Sequence, residues 1–181
     1  QNSGKPVPPP HIVKQQILQE YSRLFGLKIF VETGTYFGDM IEAMKNNFHH
    51  IYSIELSSIL YEQAKKRFKN ENNITLICGN SGSELKYLLK IINQPALFWL
   101  DSHYSGGVTA KGDKDTPIFE ELSHIFNYPD MGHVIIIDDA RCFGTDPNYP
   151  RMQELKDFIK ANGKNLNIVI KDDSIRITPQ K

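Results

Sequence analysis

The sequence is short of the features that would settle its class at a glance. Only two cysteines occur, Cys78 and Cys142, and they fall after different strands, the third and fifth, so a reduced, cytoplasmic chain is expected. No apolar run is long enough to span a bilayer. Neither sign of charge is in excess: 21 Lys and Arg stand against 21 Asp and Glu, and nothing global draws the chain to nucleic acid or to an anionic membrane. Lys65, Lys66, Arg67 and Lys69 do cluster, but on a helix whose apolar face is Leu60, Ala64 and Phe68, and they read as a solvated face. The third glycine of a dinucleotide-binding turn is missing as well. Without disulfides or a structural metal, 181 residues can still bury a two-sided core. The expected organisation is a flexible, Pro-rich arm over 1–10 and one domain over 11–181.

What is present centres on Ile29 to Asp39. Ile29–Val31 is a short β-branched and aromatic run that reads as a buried strand. It ends on Glu32, and Gly34 and Gly38 follow. Met40, Ile41, Met44 and Phe48 then recur at helical spacing, so the stretch is a strand, a tight glycine turn and a helix. A pyrophosphate site wants G-x-G-x-x-G, with backbone amides and a helix N-terminus facing the phosphates. Here Glu32 occupies the first glycine's place, which disfavours NAD and favours a ligand with a cationic end. An ordinary turn with glycines for close packing is the alternative.

The rest alternates in the same way. A helix from His11 presents Ile17, Tyr21 and Leu24 and stops at Gly26. Ile51–Glu55 is a second strand, with Ser57 placed to cap the next helix, and Ile74–Cys78 is a third. Ser81 with Glu84 is spaced as a capping box before Leu85, Leu88, Leu89 and Ile92. Ala96–Asp101 is the fourth strand, followed by a loop, 102–115, with three glycines and no periodicity. Thr116–Pro117 opens a helix faced by Ile118, Leu122, Ile125 and Phe126. Val134–Asp139 is the fifth strand, a helix carries Met152, Leu155, Phe158 and Ile159, and two runs around Asp172–Asp173 read as a hairpin. Five apolar strands alternating with helices make a parallel α/β sheet covered on both faces, with ligands outside the strands' carboxyl ends.

Glu32, Glu55, Asp101 and Asp138 each close a different strand, with Asp139 next in line. Carboxylates gathered at one sheet edge repel one another unless something positive intervenes, so the pattern points to a site more than to stability. Glu55 sits where a carboxylate accepts both hydroxyls of a ribose. Asp101, Asp138 and Asp139 offer hard oxygen donors without a cysteine or a converging histidine pair. That set suits Mg²⁺, with Ca²⁺ or Mn²⁺ as alternatives.

The segment Glu32–Gly38 resembles motif I of the class I S-adenosylmethionine (SAM) methyltransferases. The runs Phe98–Gly107 and Asp138–Phe143 are similar to those of small bacterial members of that class. The resemblance implies a Rossmann-like sheet of seven strands in the order 3-2-1-4-5-7-6, mostly parallel and closed by the hairpin. It implies SAM held by Glu32, Thr33, Gly34, Tyr36, Gly38, Asp39, Glu55, Leu56 and Asp101. Asn80 and Ser81 would meet the adenine, although capping the following helix explains them equally. The acid trio resembles the metal site of the catechol and macrocin-type O-methyltransferases, with the Asp-Asp pair of the latter. His103 lies where the macrocin-type enzymes carry a general base. Those enzymes usually have an acid there and the catechol enzymes use a lysine nearby, so His103 departs from both; it can be the base, a fourth ligand, or a residue ordering the loop. Tyr104, Ser105, Gly106, Gly107, Lys111 and Asp113 would form a lid, with His103, Tyr104 and Arg141 toward the acceptor. Arg141 either binds an anionic group or neutralises the acids. The implied reaction is methyl transfer to a hydroxyl of a small molecule, with Mg²⁺ or another divalent ion assisting. Related enzymes often complete their sites by dimerising, so a homodimer is an open alternative to a monomer.

Overall fold

The structure is a computed structural model that describes residues 7–101 and 116–180. Helix α1 (His11–Phe25) precedes a βα series: β1 (Ile29–Thr33), α2 (Asp39–Met44), β2 (His50–Glu55), α3 (Ser58–Arg67), β3 (Ile74–Cys78), α4 (Ser81–Leu88) and β4 (Ala96–Leu100). Then come α5 (Ile118–Asn127), β5 (Val134–Ile137), a 3-10 turn (Ala140–Cys142), α6 (Met152–Asn162), β6 (Leu166–Lys171) and β7 (Ser174–Pro179). The strands form one sheet in the order β3-β2-β1-β4-β5-β7-β6. The first five are parallel, and β7 runs antiparallel to both β5 and β6. This is the expected architecture, closing hairpin included.

The two faces of the sheet are buried against different helices, as continuous apolar strands require. Phe30, Leu97, Trp99, Val134 and Ile136 pack with Ile17, Leu18 and the residues of α2, whereas Val31, Phe98, Leu100, Ile135 and Ile137 pack with residues of α4, α5 and α6. Successive side chains alternate across a strand, so Glu32, Asp101 and Asp138 fall on the α1 side. The sheet edge at β6 is barer, with Val169 and Ile170 exposed.

Four local expectations need correction. In α1 the buried residues are Ile17, Leu18 and Ser22, and Leu24 is exposed, because the stripe that meets the sheet advances through 17, 18, 21 and 22 and leaves Leu24 at its margin. The cap of α4 is Asn80, whose side chain accepts from the Gly82 amide at 2.9 Å; Ser81 is the first helical residue. Helix α5 begins at Ile118 with Pro117 before it and no side-chain cap, and it buries Glu121 beside Leu122. Arg67 is not simply part of a solvated face. It donates to the Phe37 carbonyl and to Asp39 at 2.6 and 2.7 Å, bracing the glycine turn from α3.

Candidate functional site

The turn after β1 is built by three residues in the left-handed region, Gly34 (φ 88°), Tyr36 (φ 51°) and Gly38 (φ 81°). Gly38 is required for space as well as conformation: a Cβ there would lie 2.6 Å from the buried Phe68 ring. The Gly34 amide donates to the Ile54 carbonyl, and the Tyr36 amide to Glu55 Oε2 at 2.8 Å. Glu55 Oε1 accepts from the Ser57 amide, also at 2.8 Å. Each Glu55 oxygen is thus oriented by one backbone donor and keeps a second lone pair for another. Leu56, Tyr36 and Phe37 are exposed beside it, the two rings 4.0 Å apart.

Glu32 lies on the next strand and is 2 % exposed. The Ser53 hydroxyl donates to its Oε2 at 2.6 Å, and Ser53 in turn shares a hydrogen bond with Thr35. Burial, with the nearby Asp101 and Glu55 charges, outweighs that bond and pushes the carboxyl pKa up to about 8. Next to it, Thr33 Oγ1 is buried and has no hydrogen-bond partner among the described residues. An orphaned hydroxyl beside a glycine turn is what a site for a hydrogen-bonding ligand leaves behind. Asp39, at the start of α2, pairs with Arg67. Asn80 and Ser81 sit at the carboxyl end of β3, where Asn80 caps α4.

Asp101 and Asp138 extend their strands by one hydrogen bond each, the Asp101 amide to Thr33 and the Asp138 amide to Leu100, both at 3.1 Å. Asp139 then takes the left-handed region (φ 53°) before the 3-10 turn, a conformation Asp tolerates better than most residues. Carboxylate oxygens of Asp101, Asp138 and Asp139 lie within 4.8 Å of one another. The hairpin helps to place them: the Asp173 carbonyl and carboxylate accept from the Ala140 and Arg141 amides at 2.9 Å, and the Arg141 guanidinium bridges Asp139 and Asp173.

Lys14, which the sequence reading passed over, belongs to this cluster. Its ammonium donates to Asp138 Oδ2, stands 3.8 Å from Asp139 Oδ1, and lies 6.0 Å from the centre of the Trp99 ring. Burial works to lower the Lys14 pKa, but Asp138, Asp101 and Asp139 together hold it above the ordinary lysine value. Asp138 is raised by its own burial and by the Asp101 and Asp139 charges, against the pull of Lys14. Asp138, Asp139 and Asp173 therefore pair with two cationic side chains, Lys14 and Arg141. The signal for Lys14 was in the sequence: Lys14, Ile17, Leu18 and Tyr21 form one stripe, and a lysine on the inner stripe of a helix needs an acid at the end of the sheet beneath it. His103, Tyr104 and the rest of the expected lid lie outside the described residues.

The fold can be set beside known proteins. No protein-family model matches the sequence, and no curated protein does. Solved structures do match. The O-methyltransferase TomG of Streptomyces achromogenes, involved in tomaymycin synthesis and solved with SAM, superposes with a TM-score of 0.67 at 16 % identity, over 93 % of this chain and 80 % of that one. An O-methyltransferase from Bacillus cereus in complex with S-adenosylhomocysteine (SAH) gives 0.68 at 15 %, over 97 % and 84 %. A candidate rRNA methylase from Clostridium thermocellum gives 0.61 at 15 %, over 91 % and 94 %. With this strand order, this glycine turn and these likenesses, the chain has the Rossmann-like fold of the class I methyltransferases.

Proposed function

We propose that the protein is a SAM-dependent O-methyltransferase acting on a hydroxyl of a small molecule. The observation that carries this reading is Glu32, a buried carboxyl at the end of β1 beside the glycine turn, where a nicotinamide cofactor would bring its diphosphate. In the ligand-free protein its raised pKa keeps it largely protonated at neutral pH, and a ligand bearing ammonium and sulfonium groups would draw that proton off. Two of the solved neighbours are described as O-methyltransferases with SAM or SAH bound, which supports the same cofactor here.

In this reading Glu55 takes the ribose hydroxyls, since the Tyr36 and Ser57 amides leave one lone pair on each of its oxygens. Thr33 offers its unpartnered hydroxyl, Leu56 and Tyr36 offer apolar surface to the adenine, and Asn80 and Ser81 flank it at the end of β3. When bound, SAM supplies a methyl group on a sulfonium, a leaving group that needs no proton. The chain's work is therefore alignment and exclusion of water. His103 would remove the acceptor's hydroxyl proton, with Tyr104 and Arg141 assigned to bind the acceptor. Asp101, Asp138 and Asp139 have the oxygen donors and spacing that Mg²⁺ or another divalent ion takes, and an ion there would lower the hydroxyl's pKa. The free cysteines fit a cytoplasmic setting, and residues 11–181 would act as one domain, alone or as a homodimer.

Calorimetric titration with SAM, SAH and NAD, each with Mg²⁺ and with EDTA, tests the cofactor. Binding of the two SAM-type ligands in the micromolar range and none of NAD is expected. Failure of SAM to bind under any condition would overturn the reading. Binding without transfer to any hydroxyl acceptor would make the chain a SAM-binding module instead.

A further inference from the structure

The acidic trio is not open to a metal ion in the way its residue types alone imply, because α1 has already delivered a cation to it. Lys14 donates to Asp138 Oδ2 and stands 3.8 Å from Asp139 Oδ1, with a side chain only 16 % exposed. The helix that carries it is well anchored. Ile17 and Leu18 are buried in the sheet face, the Ser22 hydroxyl donates to the Leu27 carbonyl, and Tyr21 lies under the Arg176 guanidinium at 5.4 Å. Arg176 is itself fixed to the hairpin through Ser174, the Lys171 carbonyl and Asp172. Lys14 is thus a positioned group.

A divalent ion binds carboxylate oxygens directly, at about 2.0–2.6 Å depending on the ion. An ammonium engaged with Asp138 and Asp139 cannot keep its place while such an ion takes the same oxygens, for reasons of space and of like charge. Two cations therefore compete for one set of ligands. We infer that Lys14 decides which cation the site takes: its ammonium is the built-in occupant of the Asp101–Asp138–Asp139 cluster, and a divalent ion enters only by displacing it. This deepens the methyltransferase reading, on which the cluster's role at the acceptor rests. It makes Lys14 a specificity-determining residue, with weak metal binding as its direct result.

The test needs neither cofactor nor acceptor. Mn²⁺ binding is measured on the full chain for wild type, Lys14→Gln and Lys14→Arg, by titration with the free ion followed by electron paramagnetic resonance. Lys14→Gln is expected to bind at least about tenfold more tightly than wild type, and Lys14→Arg, which restores the charge, within about threefold of it. Adding Asp138→Asn to Lys14→Gln should abolish the gain. A Lys14→Gln protein that binds no more tightly than wild type, whether both bind or neither does, would overturn the inference. Should that variant not fold, Lys14→Met, which keeps the apolar path past Trp99, is held to the same criterion. SAM titration is run separately, so a chain that fails to bind SAM would sink the methyltransferase reading while leaving the Mn²⁺ comparison intact.

Discussion

Glu32 and Glu55 show how two like residues at adjacent strand ends are prepared for different tasks. Glu55 is oriented by two backbone amides, whereas Glu32 is buried with a single hydroxyl donor among the described residues and is pushed up to about 8. A carboxyl that titrates higher folded than unfolded binds more protons in the folded state. Its effect is to make stability fall as pH rises from about 4.5 to about 8, and to level off beyond. The drop from this one group is of the order of a few kcal/mol. Urea unfolding of the ligand-free protein should show that slope, and Glu32→Gln should flatten it. The same proton has a second readout: SAM titrated at pH 7 should release it, so the binding heat should differ between phosphate and Tris buffers. A buffer-independent heat would mean that Glu32 does not change its protonation on binding.

At the scale of elements, the glycine turn is the part with least freedom. Gly38→Ala would force a side chain into the left-handed region and against Phe68, a ring held in the core, so a loss of roughly 1–3 kcal/mol is expected in urea unfolding, together with weaker SAM binding. Full stability in that variant would contradict the described turn. The turn, strands and hairpin were legible in the sequence because each is a local pattern: two glycines after an acid, apolar runs of five, two aspartates between β-branched residues. The inner stripe of α1 marks Lys14 and the hairpin marks Asp173, but neither pattern names the partner, which is set by packing across the sheet and by the docking of the hairpin. Asn80 and Ser81 are both competent caps; the capping-box spacing favours Ser81, and the structure uses Asn80.

For the molecule as a whole, the sheet order places the reversal at β1 and β4, and the strands around it end in Glu55, Glu32, Asp101 and Asp138. Every acid at a strand end falls at this edge because parallel strands point the same way, which is why so much of the candidate site is legible in the sequence. The acceptor could not, since the segment expected to cover it has no periodicity. A ligand joined to several strand ends at once should stabilise the entire sheet. SAH at a hundred times its Kd should contribute about 2.7 kcal/mol, which for a chain of this size raises Tm by roughly 5–10 °C. Thermal unfolding with and without SAH measures it, and an unchanged Tm at saturation would show that the ligand binds folded and unfolded chains alike.

Helix α1 constrains the order in which the chain can assemble. Lys14 and Asp138 are 124 residues apart in sequence. During synthesis at about 5–20 residues per second, α1 is made several seconds before β5 exists. Fifteen residues are few for a helix to hold without tertiary support. Helix α1 is therefore completed only when β5 and the hairpin arrive to receive it, and the cation it carries reaches the site as one of the last parts put in place.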